Sequence, residues 1–453
     1  MIEKIKKIIS ERENKLIFGN ISLSLLLKFL SLIFSLINTK LYITYFNNND
    51  VLGVWYSIVS ILNWIVYFDL GIGNGLRNEI VGPLERKDEP AIKKIISTGY
   101  IVVIIISLLV TSVLLCASFF VNWNKFLNIP DTILSKNTLL KVAIISVIGV
   151  GLQFSLKTII SIFQAMRKTS VSGLLALLLN VLVFIYLKVV PSGGVEKTLL
   201  SFTIFYQMAV NVPLIVLTVY LFGLKMRRCR PSIKAYDKNV VSKIAKLGIS
   251  FFIIQIALLI ISSTDSWLIT YFFDPENTVD YQIYYRLFSV VLTIFALFTQ
   301  TVWSSVTKYY EEKNVQKIMW LYKMLNGVAA IGGTACIIIA IFYGKIVNIW
   351  MSDAYDADKI TISIALMFAI WMITQMIINT STAIANGIGR LKIQTIFIPI
   401  GGVIKIIGIL ILSRMGCQWD VIVIMNVISL VPLAIAQHID IRHALHKLTE
   451  QPK

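Results

Sequence analysis

Residues 101–121 read IVVIIISLLVTSVLLCASFFV, a run without a single charged side chain. A helix rises about 1.5 Å per residue, so this run covers roughly 30 Å, the thickness of the hydrocarbon layer of a bilayer. Comparable runs recur along the 453-residue chain. They predict helices near 19–46, 51–76, 96–121, 138–163, 172–190, 198–222, 247–272, 280–306, 318–343, 360–386, 391–413 and 420–438. With 57% hydrophobic and 15% charged residues and a mean hydropathy of +0.79, the chain lies outside the balance of soluble domains. A membrane barrel needs strands of alternating polarity, which these continuous apolar runs exclude. The expected fold class is all-α: a polytopic membrane protein of about twelve transmembrane helices.

The remaining composition rules out several chemistries. Cys116, Cys229, Cys336 and Cys417 are scattered, without the paired spacing of a disulfide framework or a zinc site, and read as packing residues. His438, His443 and His446 read as part of a solvated basic tail, so no metal or other cofactor is expected. The first apolar helix is too long for a signal-peptide core and is expected to be retained.

The net charge of +18 would suggest nucleic acid in a soluble protein, but its placement points elsewhere. Taking alternate connections between the predicted helices, one set with both termini holds 28 Lys and Arg residues and the other set holds 6. The positive-inside rule puts the first set, and so both termini, in the cytoplasm. Lys225, Arg227, Arg228, Arg230, Lys234 and Lys238 then face anionic lipid heads, and nucleic acid is excluded as a partner. The opening MIEKIKKIISER places Ile2, Ile5 and Ile9 on one helical side, as in an interfacial amphipathic helix.

The chain repeats itself. LYITYF at 41–46 matches WLITYF at 267–272, and Gln153 and Gln164 correspond to Gln375 and Asn386. Six helices separate the copies, so both halves enter the membrane in the same direction, as parallel repeats do. The expected organisation is a six-helix bundle over 1–222, a basic cytoplasmic linker over 223–246 and a second six-helix bundle over 247–453.

Polar residues at steps of three and four form stripes on several predicted helices. The first helix carries Lys28 and Asn38, the second Asn63 and Asn74, the fourth Gln153 and Lys157, the eighth Arg286 and the tenth Gln375. Amides and hydroxyls also join helices to one another, but long stripes in equivalent helices of both halves predict a water-accessible cavity. Lys28, Lys157 and Lys405 lie too deep to snorkel easily, and each unpaired charge there costs at least about 2.5 kcal/mol. Asp265 and Arg286 lie at similar depth. They pair with each other, Asp265 is a carboxylate linked to H+ or Na+, or neither has a specific role, and Asp69 is a second coupling candidate. The glycines of DLGIGNGLRN, at 69–78, suit close packing or a hinge.

DLGIGNGLRN after GVWYSIVSIL, FQAMRK at 163–168 and ANGIGRLKIQ at 385–394 resemble the polysaccharide-unit flippases. These are the O-antigen and capsular oligosaccharide translocases of the multidrug/oligosaccharidyl-lipid/polysaccharide exporter superfamily. The resemblance implies two six-helix bundles in a V-shaped transporter of the bacterial inner membrane. It implies a substrate as well: an undecaprenyl-pyrophosphate-linked oligosaccharide repeat unit for lipopolysaccharide or capsule, moved between leaflets by alternating access. Polysaccharide assembly proteins are the partners it implies. Basic residues line such cavities, a role that Lys28, Lys157, Arg286 and Lys405 match by character and depth. Trp55, Tyr56, Tyr67, Trp267, Tyr284 and Tyr285 would stack on sugars or form an interfacial belt.

Two other functions compete. An ion-coupled multidrug exporter of the same superfamily should have an acidic cavity, whereas the deep cations here outnumber Asp69 and Asp265. A membrane glycosyltransferase or polymerase needs a sizeable catalytic loop region, and the expected external loops are short. The protein is therefore expected not to be an enzyme.

Overall fold

A computed structural model of the chain describes residues 2–67, 72–166, 168, 170–242, 259–261, 263–355, 361–390 and 392–450. Helices dominate, and no strand occurs among these residues. The first half contains α1 (Ile2–Phe46), α2 (Asn49–Tyr67), α3 (Ile72–Arg86), α4 (Glu89–Ser118), α5 (Trp123–Phe126), α6 (Lys136–Leu156), α7 (Thr158–Ala165), α8 (Ser170–Val189) and α9 (Val195–Tyr220). The second contains α10 (Asp265–Phe272), α11 (Pro275–Glu311), α12 (Val315–Ile341), α13 (Tyr343–Met351), α14 (Ile362–Gly387), α15 (Lys392–Arg414) and α16 (Val421–Glu450).

Ten helical stretches among the described residues are long and apolar enough to cross a membrane. The two further spans expected at 51–76 and 247–272 run into residues 68–71 and 243–258, outside the described residues. Leu108, Leu109 and Val113 of α4 and Ile331 of α12 are exposed, as lipid-facing side chains are. Opposite faces pack inward: Leu76, Ile80, Ile96 and Ile162 in one core, and Val306, Ile318, Leu325 and Ile384 in another.

Local chemistry sets several helix starts. Asp88 accepts from the amide of Ala91 at 3.0 Å with Pro90 in the first turn of α4, and Asn314 accepts from that of Lys317 at 3.2 Å ahead of α12. Both satisfy an otherwise unpaired first-turn donor. The expected loop at 77–95 is therefore nearly all helix, since α3 runs to Arg86 and α4 starts at Glu89. The expected tail is helix too. His438 belongs to α16, and its Nδ1 lies 2.6 Å from the Tyr322 hydroxyl, so it is a packed residue.

The chain forms two compact units, Met1–Val51 with Ile61–Ile256, and Leu52–Ser60 with Ala257–Lys453. The middle of α2 thus belongs with the second unit. The basic segment after α9 is no free linker over its described part. The Ser97 hydroxyl accepts from the Ser232 amide at 3.0 Å, that of Thr98 from the Asp237 amide at 3.0 Å, and Lys94 pairs with Asp237 at 2.6 Å. These bonds fold the segment onto the start of α4.

Candidate functional site: a buried ion pair and its repeat counterpart

Asp265 opens α10 and is 2% exposed. Residues 259–261 are helical but 263–264 are not, so the continuous helix expected over 247–272 is broken just before it. In an unbroken helix the carbonyls of Ile260 and Ile261 would accept from amides four residues on. Here the Thr264 hydroxyl donates to Ile260 at 2.6 Å, and the Lys405 ammonium donates to Ile261 at 2.5 Å and to Ile260 at 3.3 Å. Irregular backbone at membrane depth is tolerated where protein groups satisfy it in this way.

Lys405, on α15, is 0% exposed and forms an ion pair with Asp265 Oδ1. Tyr281 donates to Asp265 Oδ2 at 2.8 Å and Asn426 Nδ2 donates to the same oxygen at 2.7 Å. The carboxylate thus collects charge-assisted bonds from three elements, α11, α15 and α16. Glycines let α15 come this close. A Cβ on Gly401 would meet the Ser429 carbonyl oxygen at 2.5 Å and one on Gly402 would meet Ile260 at 3.3 Å.

The expected pairing of Asp265 with Arg286 is therefore corrected. Asp265 turns to α15, and the Arg286 guanidinium lies over the Tyr56 ring, 5.7 Å from its centroid, in a cation–π contact. Around it, α2 satisfies the broken stretch: Ser60 donates to the Ser263 carbonyl at 2.5 Å and Ser57 to that of Ser266 at 3.1 Å. Ser57 also bonds the Thr270 hydroxyl, which in turn lies 2.8 Å from that of Thr278.

The first unit has a matching junction built without charge. Aligning LYITYF with WLITYF gives an offset of 226 (267 minus 41), which sets Asp265 level with Thr39, beside Asn38. Asn38 is 1% exposed and donates to the Asn180 carbonyl at 2.8 Å, while Asn180 Nδ2 donates to Ser31 at 3.0 Å. Asn180 is on α8, the counterpart of α15. Both repeats therefore join the same two helices through a polar contact, neutral in the first and ionic in the second.

Other residues expected at a site differ in burial. Lys28, Gln153, Lys157, Arg286 and Gln375 are half-buried and Asn63 is exposed. The side chain of Asn74 and all of Asp69 lie outside the described residues. Lys157 sits where α6 gives way to α7. Trp55, Tyr56 and Tyr284 are nearly wholly buried, and Tyr284 stacks on Tyr343 with ring centroids 4.2 Å apart. These three are core residues and not a surface for sugars. Asn180, Tyr281 and Asn426 were not among the expected site residues, nor were Gly401 and Gly402. The signal for the glycines was a GG pair three positions before a lone lysine in an apolar run. Among the described residues there is no cluster of three or more His, Cys, Asp or Glu side chains that could hold a metal.

No family model matches the sequence, and no curated protein does so. Solved structures match over nearly the whole chain. An inward-facing multidrug resistance MATE family transporter of the MOP superfamily has a TM-score of 0.76 at 14% identity, covering 96% of this chain and 100% of that one. An outward-facing structure of a multidrug resistance MATE family transporter has a TM-score of 0.63 at 15% identity, covering 96% and 97%. A MOP superfamily transporter from Pyrococcus furiosus, described as having a binding pocket of reversed polarity that suggests a different function, gives 0.61 at 15%, covering 95% and 97%. The chain has the all-helical, polytopic fold of these transporters.

Proposed function

We propose that the protein is a membrane transporter that works by alternating access, and that it exports amphiphilic organic solutes. The observation that supports this best is the fold match to multidrug transporters over nearly the full length of both chains. The buried pair adds to it. Asp265 and Lys405 neutralise each other out of reach of solvent, so Lys405 does not count toward a cationic cavity. Half-buried amides such as Gln153 and Gln375 are polar enough for water and solutes to enter beside them.

A second reading, translocation of undecaprenyl-pyrophosphate-linked oligosaccharide in a bacterial inner membrane, is favoured by one observation. Lys28, Lys157 and Arg286 keep partial exposure, whereas Asp265 does not. Among the described candidate charges, the accessible ones are then the positive ones, which suits a pyrophosphate. Contact with polysaccharide assembly proteins belongs to this reading.

Charge reversal separates the two. Ethidium efflux from cells expressing the wild type, retained or raised in Lys28→Glu and Lys157→Glu, is the outcome expected of an exporter. Absence of efflux, with surface glycan lost in Lys28→Ala and Lys157→Ala at normal protein abundance, would replace it with the flippase.

A further inference from the structure

The Lys405 ammonium has three hydrogens and meets three oxygens: a carboxylate oxygen of Asp265 and the backbone carbonyls of Ile260 and Ile261. The set contains no sulfur or nitrogen ligand, and two of its members are carbonyls freed by a helix interruption. A carboxylate beside unwound backbone carbonyls is the donor set that holds an alkali cation in the middle of a membrane protein. A fourth oxygen is close by: Asn426 is fully buried, its Nδ2 holds Asp265 Oδ2, and its Oδ1 has no hydrogen-bond partner among the described residues.

We propose that Lys405 is a tethered cation: its ammonium occupies an all-oxygen site for a monovalent metal ion in the second unit, and removing its side chain opens that site to sodium or potassium. Two features of the chain favour an ion-sized site over an ordinary helix-joining salt bridge. Gly401 and Gly402 bring α15 against 260–261 closely enough for the ammonium to reach backbone oxygens as well as the carboxylate. The first repeat joins the same helices through the neutral side chains of Ser31, Asn38 and Asn180 and through ring contacts such as Phe34 with Phe184, so the polar contact at this junction does not require a charge. The charge therefore serves something particular to the second unit. One consequence is that Asp265 is not open to an exchangeable proton or metal ion while Lys405 is in place. The inference does not depend on what is transported.

The test is thermal unfolding of the purified full-length protein in sodium, potassium or choline chloride at equal ionic strength. Wild type should melt at the same temperature in all three. Lys405→Ala should melt lower in choline and gain about 5 °C, saturably, as sodium or potassium is added. The double variant Asp265→Asn/Lys405→Met lacks the carboxylate and should not respond to the cation. Folded Lys405→Ala recovered only in sodium or potassium would also support the site. An alkali response in Lys405→Ala no larger than in the double variant would overturn it. So would a saturable sodium response of the wild type that Asp265→Asn abolishes, an arm that needs no lysine variant.

Discussion

Asp265 is an anion that three helices have been shaped to hold, and the cost of disturbing it depends on which partner goes. Removing Lys405 alone leaves a buried carboxylate with only Tyr281 and Asn426, which should cost about 3–5 kcal/mol. Replacing both charges, as in Asp265→Asn/Lys405→Met, should bring stability to within about 1 kcal/mol of wild type, because neither charge is then orphaned. Denaturation midpoints of the two singles and the double measure this coupling, and a double variant no better than the worse single would contradict it. Both residues were legible in the sequence as charges too deep for water. Their pairing was not, because depth alone makes Arg286 as good a partner, and the polar run SSTDS at 262–266 reads as well as part of a polar helix face as it does as a helix break. A lone asparagine in an apolar helix, Asn180, gave still less to read, since nothing local tells a junction from a chance polar residue.

Between elements, the decisive contacts are close approaches that only glycine permits. A Cβ on Gly53 of α2 would run into the backbone of Pro275 at the start of α11, whereas one on Gly82 of α3 would meet nothing nearer than the Arg86 guanidinium at 3.7 Å. Gly53→Ala should therefore cost about 1–3 kcal/mol through forced backbone shifts, and Gly82→Ala should be close to neutral. Melting temperatures of the two alanine variants decide it, and equal effects would refute the steric account. Helix identity was well legible at this scale because a twenty-residue apolar run has one reading in lipid. Helix ends were less so: α11 runs over Pro275–Glu311 where 280–306 was expected. Polar residues can extend a helix beyond the hydrocarbon without altering the apolar signal. The sequence match of Gln153 with Gln375 gave the repeat, yet the contrast in polar contacts between repeats sits elsewhere, in Asn38–Asn180 against Asp265–Lys405.

At the scale of the whole molecule, the arginine and lysine asymmetry predicts that 47–50 lies outside and 225–242 inside. With Cys116 and Cys417 changed to alanine, Asn47→Cys should react with a membrane-impermeant maleimide in intact cells, and Lys234→Cys only after permeabilisation. The reverse pattern would invert the orientation. The broad architecture was readable from composition and periodicity, but the boundary between units was not. Leu52–Ser60 lies in the first repeat by sequence and in the second unit by packing, and Gly53, Tyr56, Ser57 and Ser60 are among the residues that hold it there. That segment bears on how such a chain can have evolved. Once a duplicated ancestor lets part of one copy complete the other, the second copy depends on the first for its own packing. The descendant of the second copy, translated alone, would leave uncovered the carbonyls of Ser263 and Ser266 that its sister's serines now cover.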